Sequence, residues 1–200
     1  MRTLIIATRN GNKTREVAAM LGPEWVVEDL TGRTEIPEPE ENGSSFEENA
    51  VIKAEAASRA LAGLVLADDS GLEVDVLDGA PGIRSARYAG EKATDEENRG
   101  RLLDELARLS HAAEEPVRAR FHCAMAVAEG GRMLGTFAGS VEGRIILAEA
   151  GAGGFGYDPL FIPDGYSQTF AEMDAETKNA LSHRARAMEQ VMKWLARRAS

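Results

Sequence analysis

The sequence predicts an α/β fold built on a mixed sheet. Three observations carry that expectation. Short apolar runs alternate with helical periodicity through the first half of the chain. Residues 117–141 alternate with period two around Gly130-Gly131, as an antiparallel hairpin does. Residues 182–197 then return to helical spacing.

Taken in order, residues 3–7 read as a buried first strand, and Thr8-Arg9-Asn10-Gly11-Asn12 as a turn of residues that cap helices or tolerate left-handed backbone. A helix follows to about Leu21, with Val17, Met20 and Leu21 on its apolar side and Gly22-Pro23 as its stop. Residues 25–30 suit a second strand. Residues 31–43 are acidic and contain Pro37 and Pro39, which favours an extended loop. Ser45 with Glu48 makes a capping-box pattern, and the helix from Phe46 to about Leu61 sets Phe46, Ala50, Ala54, Ala57 and Leu61 near one face.

Leu64–Ala67 reads as a short buried strand that stops at Asp68-Asp69-Ser70-Gly71, with Leu72–Leu77 as a separate alternating strand. Gly79–Gly82 is a tight loop. Thr94 with Glu97 opens a helix whose stripe is Leu102, Leu103, Leu106 and Leu109. Val117, Ala119, Phe121, Cys123, Met125 and Val127 share one strand face, and a second strand is expected around 132–141. Met188, Val191, Met192 and Leu195 mark the last helix, Ser182 to Arg197. No repeat or linker divides the 200 residues, so one domain is expected.

At 44% hydrophobic and 28% charged, the chain has the composition of an ordinary globular protein. Its net charge of −10 argues against a general polyanion surface, so no nucleic-acid partner is expected. A small anionic ligand then requires basic groups gathered in one place. No apolar stretch approaches the ~20 residues of a membrane span, and the apolar N-terminal run is too short for a secretory signal. The single cysteine, Cys123, excludes an intrachain disulfide and fits a reducing cytoplasm.

The acidic pair Asp68-Asp69 is the leading candidate for chemistry. Adjacent carboxylates at the end of a buried strand must be hydrated, hydrogen-bonded or neutralised, and hard divalent cations prefer carboxylate oxygen. The plainer reading is a turn at a strand end. Gly11 and Lys13 at a helix start resemble a phosphate-binding element, although the spacing is not that of a P-loop; the plain alternative is a capped helix with a surface lysine. Glu40-Glu41-Asn42-Gly43 is either a solvated acidic loop or a source of further metal oxygens. Lys53 is either a helix-surface lysine or the counter-charge of the acidic pair. In Gly153-Gly154-Phe155-Gly156-Tyr157-Asp158-Pro159, an aromatic ring could stack on a planar base, or pack its own loop on the core. Lys178 and Ser182-His183-Arg184 offer donors near the last helix, or ordinary surface charge.

In register and in this order, Ala7–Lys13, Glu40–Gly43, Phe46–Ala50, Ala67–Leu72, Gly79–Tyr88, Gly153–Pro159 and Ser182–Arg184 resemble the inosine triphosphate pyrophosphatase (Ham1-like) family nearly end to end. The resemblance implies a twisted mixed central sheet flanked by helices. It implies one domain over 1–200, with two lobes and the active site in the cleft between them. It implies hydrolysis of ITP, dITP, XTP and dXTP to the monophosphate and pyrophosphate, Mg²⁺ dependence, and a cytoplasmic homodimer. By resemblance, Asp69 is general base and metal ligand, Glu40 the other ligand, and Asp68 and Glu41 further candidates. Thr8, Arg9, Asn10, Gly11, Asn12 and Lys13 bind the triphosphate. Ser70, Phe155, Gly156, Tyr157, Asp158, Lys178, His183 and Arg184 complete the substrate site, with Lys53 as a further cation. Asn12 stands where relatives often carry Gly or Lys. On this reading His183 and Arg184 donate to the 6-keto group of the base. The competing readings are a Maf-like pyrophosphatase for another modified nucleotide and a nucleotide-binding regulator without catalysis.

Overall fold

A computed structural model describes residues 2–109 and 116–198. Six strands form one mixed sheet in the order β2-β1-β3-β4-β5-β6. They are β1 (Arg2–Ile6), β2 (Trp25–Glu28), β3 (Val65–Val74), β4 (Val117–Glu129), β5 (Arg132–Ile145) and β6 (Phe161–Pro163). The helices are α1 (Gly11–Leu21), α2 (Phe46–Ala60), α3 (Asp95–Ala107), α4 (Ala175–Leu181) and α5 (His183–Arg198). β1 runs parallel to both β2 and β3, whereas β5 and β6 are antiparallel.

The chain forms two compact units. The first comprises Met1–Asp69, Cys123–Gly139 and His183–Ser200; the second comprises Ser70–His122 and Ser140–Ser182. In the first unit the strands are covered on both faces. Leu4, Ile6, Leu66, Met125 and Val127 pack with Val17 and Leu21 of α1 and Met188, Val191 and Leu195 of α5. Ile5 and Val65, one residue out of step, pack with Ala57 of α2 and with Leu30 and Ile36. Burial on two faces explains why β1 and the start of β3 read as unbroken apolar runs. In the second unit, Leu72 and Val74, Leu102 and Leu106 of α3, Val117, Ala119 and Phe121, and Phe161 and Phe170 make a separate core. Phe121 meets Phe161 edge-on at 4.8 Å between ring centroids.

Several expectations need correction. β3 does not stop at the acidic pair: it runs unbroken through Asp68-Asp69-Ser70-Gly71 to Val74, and residues 75–77 form a single 3-10 turn instead of a strand end. β5 extends to Ile145, four residues past the expected end. β6 and α4 carry too few residues for periodicity to reveal them. Leu109, expected on the α3 stripe, lies past the end of that helix, and Met192 is 39% exposed, so the apolar stripe of α5 is narrower than its methionines suggest. Thr94 forms the complete capping box with Glu97. At α2 only half forms: Ser45 accepts from the Glu48 N–H, while the Glu48 carboxylate turns to the N–H and hydroxyl of Ser44.

Candidate active site

The pleat of β3 separates the two acids. Successive side chains on a strand point to opposite faces, so Asp68 follows Leu66 toward α1 and α5, while Asp69 follows Val65 and Ala67 toward α2. Both are buried, at 5% and 8% exposure. A buried carboxylate must find cations or donors, and each acid finds its own set in the first unit.

Asp68 Oδ2 takes the Lys13 ammonium at 3.0 Å and the Arg184 guanidinium at 3.0 Å from Nη2 and 3.4 Å from Nε. Arg184, itself 1% exposed, also reaches Glu16 from Nη1 at 2.5 Å. Burial alone would push the Asp68 carboxyl up. Lys13, then Arg184 and Lys53, outweigh burial and hold it well below the usual carboxylate range. Burial works against the Arg184 charge, but Asp68 and Glu16 are among the groups that hold it protonated. The Cys123 thiol, buried beside these charges, is pushed up to about 12, first by desolvation and then by Asp68, which leaves it an inert core group.

Asp69 Oδ1 takes the Lys53 ammonium at 2.9 Å, and Oδ2 accepts from Asn49 Nδ2 at 3.3 Å. Lys53 also lies 3.5 Å from Glu41. Burial opposes the Lys53 charge; Asp69, Asp68 and Glu41 overcome it and raise its pKa. Lys53 and Asn49 stand four residues apart on α2, which places both on the face toward β3.

Lys13 is aimed by the start of α1. Asn10 has extended backbone and its side chain accepts from the Asn12 N–H at 2.9 Å, capping the helix so that Lys13 falls in the first turn. Thr8 Oγ1 accepts from the Asn10 N–H at 3.1 Å. Arg9 turns away to the carbonyls of Arg33 and Ile36 and to Glu38, bracing the acidic loop. Glu40 is exposed and Glu41 half-buried, and it is Glu41 that shares a cation with Asp69. Among the described residues, no three or more His, Cys, Asp or Glu side chains gather closely enough to hold a metal.

The glycine-aromatic loop is organised within the second unit. Asp158, 3% exposed, accepts from the Phe155 N–H at 2.8 Å and from the Lys178 ammonium at 2.7 Å. Lys178 lies 4.9 Å from the Phe155 ring centroid, within cation–π range. Tyr157 is 3% exposed and donates to the Ser85 carbonyl at 2.9 Å. The two aromatics therefore differ: Tyr157 is a core anchor, and the half-buried Phe155 is the ring that a ligand could reach. Gly154 has φ +71°, and a Cβ there would meet Asp158 Oδ2 at 2.1 Å. Ser70 is half-buried, and His183 is buried at the start of α5.

Sequence reasoning passed over Asn49 and Glu16. Asn49 lies in the Phe46–Ala50 segment but reads as an ordinary helix residue. Glu16 had no signal, because its partner Arg184 is 168 residues away.

A mixed-sheet α/β chain that gathers lysines and an arginine around two buried carboxylates is built to handle an anionic ligand at a carboxylate centre. The comparisons narrow that class: the chain belongs to the Ham1 family, which it matches over residues 4–194. It is 47% identical over 192 residues to a dITP/XTP pyrophosphatase of Bacillus licheniformis, covering 96% of each chain. It is 48% identical over 189 residues to one of Geobacillus kaustophilus, covering 94% of this chain and 91% of the other. A solved HAM1 protein from Coxiella burnetii superposes with TM-score 0.85 at 38% identity, covering 98% of this chain and 100% of the other. The Staphylococcus aureus Ham1 protein gives 0.83 at 38%, covering 98% of each.

Proposed function

We propose that this chain is a nucleoside-triphosphate pyrophosphatase that converts ITP, dITP, XTP and dXTP, with one water, to the monophosphate and pyrophosphate. Relatives at nearly half identity over almost the whole chain carry the dITP/XTP pyrophosphatase name. The observation that carries the mechanism is the division of labour within the acidic pair. Asp68 is committed to Lys13 and Arg184, whereas Asp69 is held on α2 by a lysine and an amide.

In this reading, Asp69 is the general base that orients and deprotonates the attacking water. Asp68 keeps Lys13 aimed. Phosphoryl chemistry is mostly positioning and charge stabilisation; Lys13, Lys53, Thr8 and the α1 start from Asn10 to Asn12 provide both for the triphosphate, while Arg9, expected on the triphosphate, holds the acidic loop. Ser70, Phe155, Gly156, Tyr157, Asp158, Lys178 and His183 are assigned to the nucleoside, with Phe155 as the stacking ring and Tyr157 and Asp158 as its supports. Arg184 was expected to donate to the base. Its guanidinium is instead directed at Asp68 and Glu16, so we assign it to the phosphate side through Asp68.

The donor set suits Mg²⁺, which commonly takes one or two carboxylates and fills its octahedron with phosphate oxygens and waters. Asp69 with Glu40 or Glu41 would hold it, and Glu41 already shares Lys53 with Asp69. When bound, Mg²⁺ supplies charge neutralisation at the phosphate oxygens. We further propose that residues 1–200 act as one domain in a cytoplasmic homodimer, without nucleic-acid or membrane partners.

A panel of nucleoside triphosphates with Mg²⁺, scored for pyrophosphate release, tests the reading. ITP, dITP and XTP should be cleaved well ahead of ATP and GTP; equal rates would overturn the selectivity. Asp69→Asn should abolish turnover and leave nucleotide binding largely intact. Sedimentation velocity should find a dimer.

A further inference from the structure

Asn49 is fully buried on α2, one turn before Lys53, and its side chain has two partners. The Gly43 N–H donates to Oδ1 at 2.9 Å, and Nδ2 donates to Asp69 Oδ2 at 3.3 Å. The two ends of the amide cannot exchange places. Flipped, Nδ2 would face another donor and Oδ1 would face a carboxylate. Gly43 closes the acidic stretch that carries Glu40 and Glu41. A Cβ at position 43 would lie 2.7 Å from Asn49 Oδ1, 2.7 Å from Glu48 Cβ and 3.0 Å from the Asn49 backbone nitrogen. Glycine is therefore needed at 43 for close approach to Asn49.

We propose that Asn49 is a positioning residue for the reaction: one side-chain amide ties the backbone of the acidic loop to the Asp69 carboxylate. It thereby sets the spacing between the two segments whose acids would serve the metal and the phosphates. This rests on Asp69 being the catalytic carboxylate. A fixed spacing matters because groups that hold a reacting carboxylate or metal ligand commonly carry 10–100-fold of activity or affinity. Lys53 restrains Oδ1 and Asn49 restrains Oδ2, so α2 fixes both oxygens of Asp69.

The test compares Asn49→Asp, Asn49→Ala, Gly43→Ala, the Gly43→Ala/Asn49→Ala double variant and Asp69→Asn. Each is read by kcat and KM for dITP with Mg²⁺, by thermal melting, and by amide exchange of residues 40–45. Asn49→Asp keeps the acceptor for the Gly43 N–H but replaces the donor to Asp69. It should leave exchange at 40–45 unchanged while kcat falls about 10–100-fold with KM within about twofold. Asn49→Ala should lose both the protection at 40–45 and kcat. Gly43→Ala should lower kcat, and because its Cβ also meets Glu48 Cβ and the Asn49 backbone nitrogen, the double variant should be at least as impaired as Asn49→Ala. A merely structural asparagine predicts melting shifts with kcat within about twofold of wild type. That result beside an inactive Asp69→Asn would overturn the inference alone. An active Asp69→Asn would overturn the catalytic reading and the inference with it. If Asn49→Ala fails to fold, Asn49→Asp and Gly43→Ala decide.

Discussion

Asp68 and Asp69 differ by one position and by everything that surrounds them. Asp68 is an ion-pair hub between α1 and α5, and Arg184 is its largest buried partner. Removing one member of a buried pair typically costs about 3–5 kcal/mol, and the Lys13 that stays on Asp68 makes that range the upper bound here. Arg184→Ala should therefore lower unfolding free energy by that order in urea titrations, well beyond any change in base preference. A change under about 1 kcal/mol would show that the pair is not what holds α5 on β3. Asp68 also predicts an acid dependence. Its pKa is depressed in the folded chain, so its stabilisation is complete above the ordinary carboxylate range near pH 4 and is lost progressively as pH falls from there toward the depressed folded-state value. The stability gap between wild type and Asp68→Asn should be wide at pH 7 and should begin to close only below about pH 4, closing further as pH falls. A gap that stayed constant would contradict the assignment.

At the scale of elements, β3 and the loop of residues 153–158 decide how the site is held. A strand carrying Asp-Asp-Ser-Gly in its middle looks like a strand end, because nothing local marks where the counter-charges come from. They come from α1, α2 and α5, and once they are in place the backbone has no reason to break its ladder. The loop depends on Gly154, whose positive φ and contact with Asp158 exclude a side chain. Gly154→Ala should displace the Asp158 carboxylate from Lys178 and from the Phe155 N–H. Its expected signature is a raised KM for dITP and weakened discrimination against dGTP. Normal KM and discrimination would remove this loop from base recognition. The start of α1, the α3 capping box and the β4–β5 hairpin were legible beforehand, because their signals lie within a few residues of one another.

Each of the two units has an apolar core of its own, and β3, β4 and β5 each run from one unit into the other. If the chain acts as one domain, Leu66→Ala in the first core and Leu102→Ala in the second should each cost about 2–5 kcal/mol. Each should also keep a single urea transition. Both tryptophans, Trp25 and Trp194, lie in the first unit, so their fluorescence should change together with far-UV circular dichroism from the whole chain. Separate transitions would overturn the one-domain expectation.

The sequence by itself determined the helices and strands with strong periodicity, the location of the acidic pair, and the ordered motifs of the family. Those depend on neighbours along the chain. Only the tertiary structure decided that β3 continues through the pair, that Asp68 belongs to Lys13 and Arg184, and that Asp69 belongs to Lys53 and Asn49. It also turned Tyr157 into the core and left Phe155 accessible. The physical reason is the pleat of β3: it sends adjacent carboxylates to opposite faces, and which helix covers each face is set by contacts between residues as far apart as Asp68 and Arg184.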